Sequence, residues 1–415
     1  MPSADPNLPA PVAANLSAAQ RIYDRCRTLA GLTEVPGRIH RTYLTDMHQQ
    51  ANEQVTEWMQ EAGLSVHIDA AGSVVGQSNP DINPTLVIGS HLDTIPNAGA
   101  FDGILGVILA IEALSQIDTT KLPFNVEVIG FGEEEGVRFG TTLMTSKARA
   151  GQWQADWWTI EDDQGLTLRS AFESFGLDPA QIQTACPDKP LLAYLEVHIE
   201  QGPVLDEMNI PLGVVTGIAA ARRFKIEISG QAGHAGTVPM LMRKDALVGA
   251  ARCVLHTEAM ARNLGIVATV GQMTTSPGAI NVIPGRAELS LDVRSLDIKL
   301  VEQFVSEFRD TLTRELGAMG LSFKLEQIHE ADAAHCSADL QTVFADCIQD
   351  LGQEPHYLSS GAGHDAMVMA ELCNIGMLFV RCEDGISHHP SESVEVADLA
   401  WAVTVLNHSI TKLAE

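Results

Sequence analysis

The sequence predicts an α/β protein with a doubly wound sheet and a smaller α+β module inserted into it. Short apolar runs, typical of buried strands, alternate with helical stretches in the first half of the chain. After residue 221 the strands change to a period-two pattern, and helix–strand alternation returns near residue 331. With 415 residues, the chain is long enough for two or three domains of roughly 100–200 residues each.

The first part of the chain begins with a Pro- and Ala-rich segment, up to about residue 20, that we expect to be a loose lead-in. Apolar residues at helical spacing and continuous apolar runs then predict helices and buried strands. In order, these are helices at 22–32 and 51–62, a strand at 85–90, a helix at 103–114, a strand at 124–131, a helix near 143–150 and a strand at 192–200. Ligands of such a fold bind at the carboxyl ends of the strands.

The inserted module is distinguished by residues 222–230, which alternate polar and apolar side chains as an antiparallel strand on a core does. The module continues with a helix at 243–263, strands at 266–274 and 287–294, a helix at 300–316 and a strand at 321–328. The chain then returns to a helix at 338–351, a strand at 375–380 and a helix at 396–413. We therefore expect residues 1–220 and 331–415 to form one domain and residues 221–330 another.

Composition excludes several classes of partner. Lys and Arg number 26 against 53 Asp and Glu, which gives a formal net charge of −27 and repels both nucleic acid and anionic lipid. No apolar run approaches the ~18 residues of a membrane span, and the N-terminal segment lacks the basic region of a secretory signal. Seven scattered cysteines without a CxxC pair indicate reduced thiols. We expect a cytoplasmic protein that binds neither nucleic acid nor membrane.

Metal-ligand residue types follow the predicted strands directly. A lone histidine at such a position is more often a hydrogen-bonded core residue, but five groups that each lie at an apolar strand favour a metal site. These groups are His91 with Asp93, Asp102, the run Glu133-Glu134-Glu135, His198, and the pair His388-His389. Imidazole nitrogens and carboxylate oxygens suit zinc, manganese or cobalt. Either histidine of the last pair could be the ligand.

Other catalytic motifs fail on inspection. The segment HEADAAH separates its histidines by six positions, so it lacks the HExxH spacing of a zinc helix. The segment GFGEEEG has the wrong glycine spacing for a nucleotide loop, and its three carboxylates would repel phosphate. A GxSxG elbow is absent, which argues against a serine hydrolase.

Nine short motifs occur in order along the chain: GSHLDT, GAFDG, EEEGVRF, HIEQGP, GHAGTVPM, NVIPG, LDVR, SGAGHDAM and GISHHP. They resemble those of the N-carbamoyl-amidohydrolase branch of the dinuclear-zinc aminoacylase and carboxypeptidase superfamily. This branch contains allantoate amidohydrolase, N-carbamoyl-L-amino-acid hydrolase and β-ureidopropionase. The resemblance covers the chain from about residue 20 to its end, and the peptidase branches lack HIEQGP and GAGHD.

The resemblance implies two divalent metal ions per subunit, Zn²⁺ or else Mn²⁺, Co²⁺ or Ni²⁺. His91 and His198 would bind different ions, Asp102 would bridge them, and Glu135 and His388 would complete the sites. A water shared by two such ions becomes hydroxide near neutral pH. His388 is preferred over His389 by its register after Gly-Ile-Ser.

The resemblance also implies roles in catalysis and substrate binding. Glu134 would act as general base and acid, Asp93 would orient His91, and His234 would stabilise the oxyanion. The implied substrate-binding residues are Gln201, Asn281, Arg294 and His364. A guanidinium such as that of Arg294 can hold a carboxylate through two parallel hydrogen bonds.

We therefore predict a cytoplasmic homodimeric hydrolase of linear amide C–N bonds. Its substrate would be a small ureido carboxylate, allantoate or an N-carbamoyl-L-amino acid, from which it releases ammonia and CO₂. Residues 1–220 and 331–415 would form the catalytic domain, and residues 221–330 a dimerisation and lid domain. The alternatives are a dipeptidase or aminoacylase of the same superfamily, or a non-catalytic binding protein that retains the fold. The sequence does not separate allantoate from N-carbamoyl-L-amino acids or from N-carbamoyl-β-alanine.

Overall fold

The computed structural model describes residues 8–415, which form two compact units. The first unit runs as far as Thr216 and resumes from His335 to Glu415, and the second is Gly217–Ala334. The helices are α1 Ala10–Ala14, α2 Leu16–Ala30, α3 Asp46–Glu61, α4 Ile104–Leu114, α5 Met144–Arg149, α6 Leu168–Phe175, α7 Val204–Glu207, α8 Ala246–Leu264, α9 Ile298–Ala318, α10 Ala338–Asp350, α11 Ala366–Met369 and α12 Val396–Lys412.

Sixteen strands lie between these helices in the described residues. They are β1 Ser65–Ile68, β2 Val74–Gln77, β3 Thr85–His91, β4 Asn125–Phe131, β5 Leu191–Ile199, β6 Leu212–Ile218, β7 Ala220–Ser229, β8 Gly233–His234, β9 Val267–Thr269, β10 Met273–Ser276, β11 Val282–Ile283, β12 Arg286–Ser295, β13 Ser322–Ala331, β14 Ala334–His335, β15 Tyr357–Ser360 and β16 Ile375–Val380.

The first unit is built on a mixed sheet of order β1-β2-β4-β3-β5-β16-β6-β14, with β15 also paired to β6. Its centre, β4-β3-β5-β16, is parallel, whereas β1, β2 and β6 pair antiparallel. Every residue of β3, β4 and β16 is buried, which is why these strands are mostly apolar rather than alternating. The four central strands therefore present their carboxyl ends along one edge of the sheet.

Helix α4 packs against β3 and the helices α2 and α12, and all eleven of its residues are buried. Its one charge, Glu112, is paired with Arg21 at 2.6 Å and with Arg25 at 3.5 Å, because a buried carboxylate is costly without cations. Both arginines lie on α2, so this helix belongs to the core. The prediction of a loose lead-in is thus wrong for residues 10–20, while residues 1–7 lie outside the described part of the chain.

The second unit contains an antiparallel sheet of order β10-β12-β7-β13, with β9 also paired to β12. Strand β7 alternates buried and less buried residues, and its buried face packs with α8 and α9. The side chains of Asp245 and Asp297 cap these two helices by accepting hydrogen bonds from backbone N–H groups. A separate two-stranded ladder pairs β8 with β11.

The α/β class is confirmed, with a mixed central sheet. The predicted strand at 375–380 has the observed bounds, and the predicted helices agree with those observed except near their ends. The single strand expected at 266–274 is two strands, β9 and β10, interrupted at residues 270–272. Among the described residues there is no helix that combines the length and apolarity needed to cross a bilayer.

Candidate metal centre and active site

The carboxyl ends of β3, β4, β5 and β16 bring the predicted metal ligands together. His91 is the last residue of β3, His198 lies near the end of β5, and the loops after β3, β4 and β16 carry the other three. Potential ligand atoms form three groups within 4.8 Å: His91, Asp102 and His198; His91, Glu134 and Glu135; and Asp102, Glu135 and His388. Each group shares a residue with the others, so the three form one cluster.

Asp102 lies at the centre of this cluster. Its Oδ1 is 3.2 Å from Nε2 of His198 and 3.7 Å from Nε2 of His91, and its Oδ2 is 3.1 Å from Nε2 of His388. His388 Nε2 is also 3.6 Å from Oε1 of Glu135. A single buried carboxylate therefore faces three imidazoles with its two oxygens.

The ring orientation of two of these histidines is set by the backbone. Nδ1 of His91 lies 3.1 Å from the carbonyl oxygen of Asp93, and Nδ1 of His198 lies 2.9 Å from that of Ile199. Each Nδ1 must carry a proton to donate, so in the neutral ring Nε2 is left as a lone pair. Both Nε2 atoms lie close to the Asp102 carboxylate, so a proton or a cation is needed between these acceptors, and the N–H of Gly103 supplies one donor to His198.

The pKa shifts of the acidic residues also indicate that the cluster is suited to a cation. Burial raises the pKa of the Glu135 carboxyl to about 7 and raises that of Glu134 well above its usual value. Burial opposes ionisation of Asp102 too, but hydrogen bonds from His198, His388 and His91 hold its pKa well below the ordinary range. Nitrogen and carboxylate ligands around excess negative charge fit divalent zinc, manganese, cobalt or nickel.

Gly103 permits the close approach of the Asp102 loop to His91. Its φ of 70° lies in the left-handed region, and a Cβ atom on it would fall 2.3 Å from the His91 ring. Its backbone N–H donates to Nε2 of His198 at 3.1 Å. Only glycine fits between these two imidazoles.

The glutamate run after β4 divides into residues of different function. Glu133, at a left-handed φ of 55°, accepts hydrogen bonds from the N–H groups of Arg138 and Phe139 at 3.0 and 2.8 Å. It is fully buried and stabilises the turn, and burial together with Asp93 raises its pKa to about 8. The side chains of the next two glutamates instead face the ligand cluster.

Asp93 connects this loop to the His91 strand. Its Oδ1 and Oδ2 accept hydrogen bonds from the N–H groups of Glu134 and Glu135, both at 3.1 Å. The distance from its Oδ1 to Nδ1 of His91 is 3.6 Å, longer than that from its backbone oxygen. The structure therefore places the Asp93 carboxylate chiefly on the glutamate loop and its carbonyl on His91.

The two adjacent histidines after β16 point differently. His388, at a φ of 55°, directs Nε2 to Asp102, while Nδ1 of the exposed His389 accepts a hydrogen bond from the N–H of Ser391 at 3.2 Å. The structure therefore brings His388, and not His389, to the cluster.

Two of the predicted substrate-binding residues lie in the first unit. Gln201 donates through Nε2 to both oxygens of Asp102, at 3.2 and 3.1 Å. His364 is buried with Nε2 2.8 Å from Oγ of Ser360, and its ring lies 4.5 Å from that of His198. Burial and the neighbouring His198 hold the pKa of His364 well below its ordinary value, so this ring is neutral.

The other three predicted residues lie in the second unit. His234 is exposed on β8, where Nδ1 accepts a hydrogen bond from the N–H of Gly236 at 3.1 Å, and the carbonyl oxygen of Asn281 accepts one from Ala235. The Arg294 guanidinium on β12 donates to both carboxylate oxygens of Asp292, at 2.7 and 2.9 Å. Asp292 therefore occupies two donors of the Arg294 guanidinium.

Sequence reasoning missed two residues that contact the cluster. Oγ of Ser387 lies 3.2 Å from Oδ2 of Asp102 and 3.1 Å from Oε2 of Glu392. Oε1 of Glu392 accepts hydrogen bonds from the N–H groups of Phe101 and Asp102. The position of Glu392, four residues after His388, matched no ligand spacing, so nothing in the sequence singled it out.

Residues 87–412 match the model of peptidase family M20/M25/M40. The chain belongs to this family. It is 36% identical to the N-carbamoyl-L-amino-acid amidohydrolase of Pseudomonas sp. (strain NS671), over 90% of this chain and 93% of that protein. It is 38% identical to a probable allantoate deiminase of Oryza sativa subsp. japonica, over 91% of this chain and 85% of that protein.

A solved structure agrees with these sequence relatives. The amidase of the hydantoinase/carbamoylase family from Burkholderia multivorans superposes with a TM-score of 0.89 at 31% identity, covering 95% of this chain and 98% of that one. The predicted family resemblance is thus confirmed. The prediction of a hydrolase that acts on amide C–N bonds is confirmed with it.

Proposed function

We propose that the protein is a metal-dependent amidohydrolase that cleaves the carbamoyl C–N bond of allantoate or an N-carbamoyl-L-amino acid. The observation that carries this proposal is the buried Asp102 carboxylate facing three imidazoles, with Glu134 and Glu135 beside it. Relatives named for both substrates support the choice of chemistry. Overall, one water is consumed and ammonia and CO₂ leave the ureido group.

The ligand set would hold two divalent ions, with Asp102 common to both and His91, Glu135, His198 and His388 completing the sites. Such ions polarise a substrate carbonyl and lower the pKa of a bound water. The chain itself fixes the orientation of the ligand side chains. The carbonyl oxygens of Asp93 and Ile199 orient the two imidazoles, and the Asp93 carboxylate accepts hydrogen bonds from the N–H groups of the glutamate loop.

Glu134 would move the proton. Its backbone is held by Asp93, its carboxyl faces the cluster, and burial raises its pKa above the ordinary value. A carboxylate so placed takes the proton of the attacking water and delivers it to the leaving nitrogen as the C–N bond breaks. Glu133 does not fit this role, because its own carboxylate is buried against the turn at Arg138 and Phe139.

The remaining residues would bind the substrate. Arg294 would bind the substrate carboxylate, together with Asn281, if the substrate replaces Asp292 as the acceptor of its two donors. His234 would donate to the developing oxyanion. The neutral His364 can hold a polar group without adding charge. Within residues 8–415 nothing hydrogen-bonds the buried Oε1 of Gln201, which leaves an acceptor for an N–H group of the ureido substrate.

An ammonia-release assay would test the function. Metal-loaded protein would be assayed with allantoate, several N-carbamoyl-L-amino acids and N-carbamoyl-β-alanine, with the D-isomers as matched controls. We expect turnover of one of the first two classes. Hydrolysis of dipeptides or N-acyl amino acids, without activity on any ureido compound, would instead establish the aminoacylase or dipeptidase alternative. No activity on any of them would favour a binding protein.

The second unit would form a homodimer. Ten of the seventeen exposed large apolar residues in the described chain lie in residues 217–334, fewer than a third of the chain. They include Met240, Leu241 and Met242 on one turn and Leu247, Val248 and Leu255 at or beyond the start of α8. Apolar surface concentrated in this way is typical of a protein interface. We propose that a second copy of the chain covers it.

Two measurements test this assembly. Light scattering should give twice the chain mass, and Leu241→Lys should reduce it, whereas Leu166→Lys, an exposed leucine of the first unit, should not. If His234 serves the partner's site, an inactive His234→Ala chain mixed with an inactive Glu134→Gln chain should regain partial activity. No recovery, despite demonstrated exchange of subunits, would count against a role of His234 in the partner's site.

We also propose a cytoplasmic location for the protein. The free thiols of all seven cysteines support this proposal, because thiols stay reduced in that compartment.

A further inference from the structure

We infer that Glu392 is a positioning residue that fixes the distance between the loop carrying Asp102 and the loop carrying His388. This inference rests on the proposed metal centre and concerns the chain's own geometry. Glu392 lies 290 residues from Asp102 in sequence and is 5% exposed. It is not one of the ligand groups, so its carboxylate is available for other contacts.

Each carboxylate oxygen of Glu392 contacts a different loop. Oε1 accepts the N–H of Phe101 at 2.8 Å and that of Asp102 at 3.1 Å. Oε2 accepts from Oγ of Ser387, the residue before His388, at 3.1 Å. Two N–H groups and a hydroxyl from three residues thus converge on one buried carboxyl group. The side chain therefore links the two loops directly.

The space around Glu392 is also specified. A Cβ atom on Gly99 would lie 2.1 Å from Cδ of Glu392 and 2.2 Å from its Oε1, so any other residue there would displace the carboxylate. Oγ of Ser387 also lies 3.2 Å from Oδ2 of Asp102, so its single proton can be donated to either carboxylate. The backbone of Asp102 is thus held by Glu392, and the Ser387 hydroxyl lies between the two side chains. The Asp102 carboxylate can then face all three imidazoles without searching other rotamers.

Metal affinity measured without substrate tests this role. Apo protein would be titrated with Co²⁺, whose visible absorption reports the geometry of its ligands. Wild type should bind two equivalents. Glu392→Ala should weaken at least one equivalent by about 10- to 100-fold, the usual cost of losing a residue that orients metal ligands, and should change the spectrum. Glu392→Gln should recover much of the affinity, because its amide oxygen can still accept the two N–H groups.

The control is Glu383→Ala, which removes the same charge from an exposed position in the neighbouring turn and should bind Co²⁺ like wild type. Circular dichroism of the apo proteins would establish folding. If Glu392→Ala does not fold, Gly99→Ala, which keeps the charge but displaces the carboxylate, is judged by the same criteria. The inference would be overturned if the folded Glu392→Ala variant, or Gly99→Ala in its place, bound two Co²⁺ equivalents with wild-type affinity and spectrum. Failure of wild type to bind Co²⁺ would count against the proposed function instead.

Discussion

The two units of the chain hold their predicted site residues in contrasting surroundings. In the first unit, the potential metal ligands come from four strand ends, are largely buried, and contact one another through Asp102. In the second unit, His234 is exposed and Arg294 is occupied by Asp292, a neighbour on the same strand. All the proposed metal ligands lie within one unit, whereas the residues proposed to bind the substrate come from both. Mutations should therefore separate metal binding from substrate binding.

Metal removal should have the largest effect. Chelation should reduce ammonia release to the detection limit, because the ligands of the first unit would lose the cations that polarise the substrate carbonyl and activate water. Added manganese, cobalt or zinc should restore activity, and elemental analysis should show up to two equivalents per chain. An active preparation without any transition metal would show that the residues of the first unit do not act as metal ligands in catalysis.

Glu134→Gln should reduce kcat by roughly 10²–10⁴-fold, the usual worth of general acid–base catalysis, and leave the metal content unchanged. The substitution keeps the shape of the side chain and touches none of the five proposed ligands. Glu133→Gln is the matched control, since its amide oxygen can still accept the N–H groups of Arg138 and Phe139. A larger loss from the Glu133 change than from the Glu134 change would reverse the two assignments.

Arg294→Lys should raise KM by about 10- to 100-fold, the effect of losing a charge-assisted two-pronged hydrogen bond, with metal content intact. Arg286→Lys, at the other end of β12, is the control and should change little. A substrate amide without the carboxylate should be poor for wild type and nearly indifferent to the Arg294 change. Equal damage with the acid and the amide would show that Arg294 does not bind the carboxylate.

The smallest effect concerns a buried histidine of the first unit. Burial lowers the pKa of His48 to about 4, below the ordinary value of 6.5. The unfolded chain therefore takes up a proton between pH 6.5 and 4 that the folded chain does not. The free energy of unfolding should fall as pH drops through this window, by on the order of 1 kcal/mol per pH unit from this group.

Urea denaturation of the metal-free protein at several pH values would measure this slope. His48→Gln should flatten it, and replacement of the exposed His67 by Gln should not. An unchanged slope in the His48 variant would assign the acid sensitivity to other groups. A flatter slope in the His48 variant alone would show that a buried histidine of the first unit contributes to the acid sensitivity of the protein.

Much of the parallel core could be predicted because its signal is local. Strand β16 is a continuous apolar run and helix α4 is apolar except for Glu112, because both elements are buried on all sides. Strands β1 and β2 could not be predicted in this way, since each has four residues and β1 is mostly exposed at the sheet edge.

The residues of the candidate site likewise differ in whether a local sequence pattern could predict them. His91 and His198 could be proposed because each lies at the carboxyl end of an apolar strand. Glu392 could not, because its partners Phe101 and Asp102 are about 290 residues away and only the folded chain brings them together. The pairing of Arg294 with Asp292 is likewise a property of strand β12 in three dimensions, since the two side chains share one face at positions two apart.

Three non-glycine residues around the cluster, Glu133, Gln201 and His388, have left-handed backbones. Each such residue costs about 1–2 kcal/mol relative to an ordinary conformation, so the loops hold their shape only because the surrounding contacts enforce it. For anyone redesigning the substrate range, these positions tolerate neither β-branched side chains nor a shift of the loop register. In the second unit, residues 217–334, no residue other than glycine has a positive φ, so its loops carry no such backbone constraint.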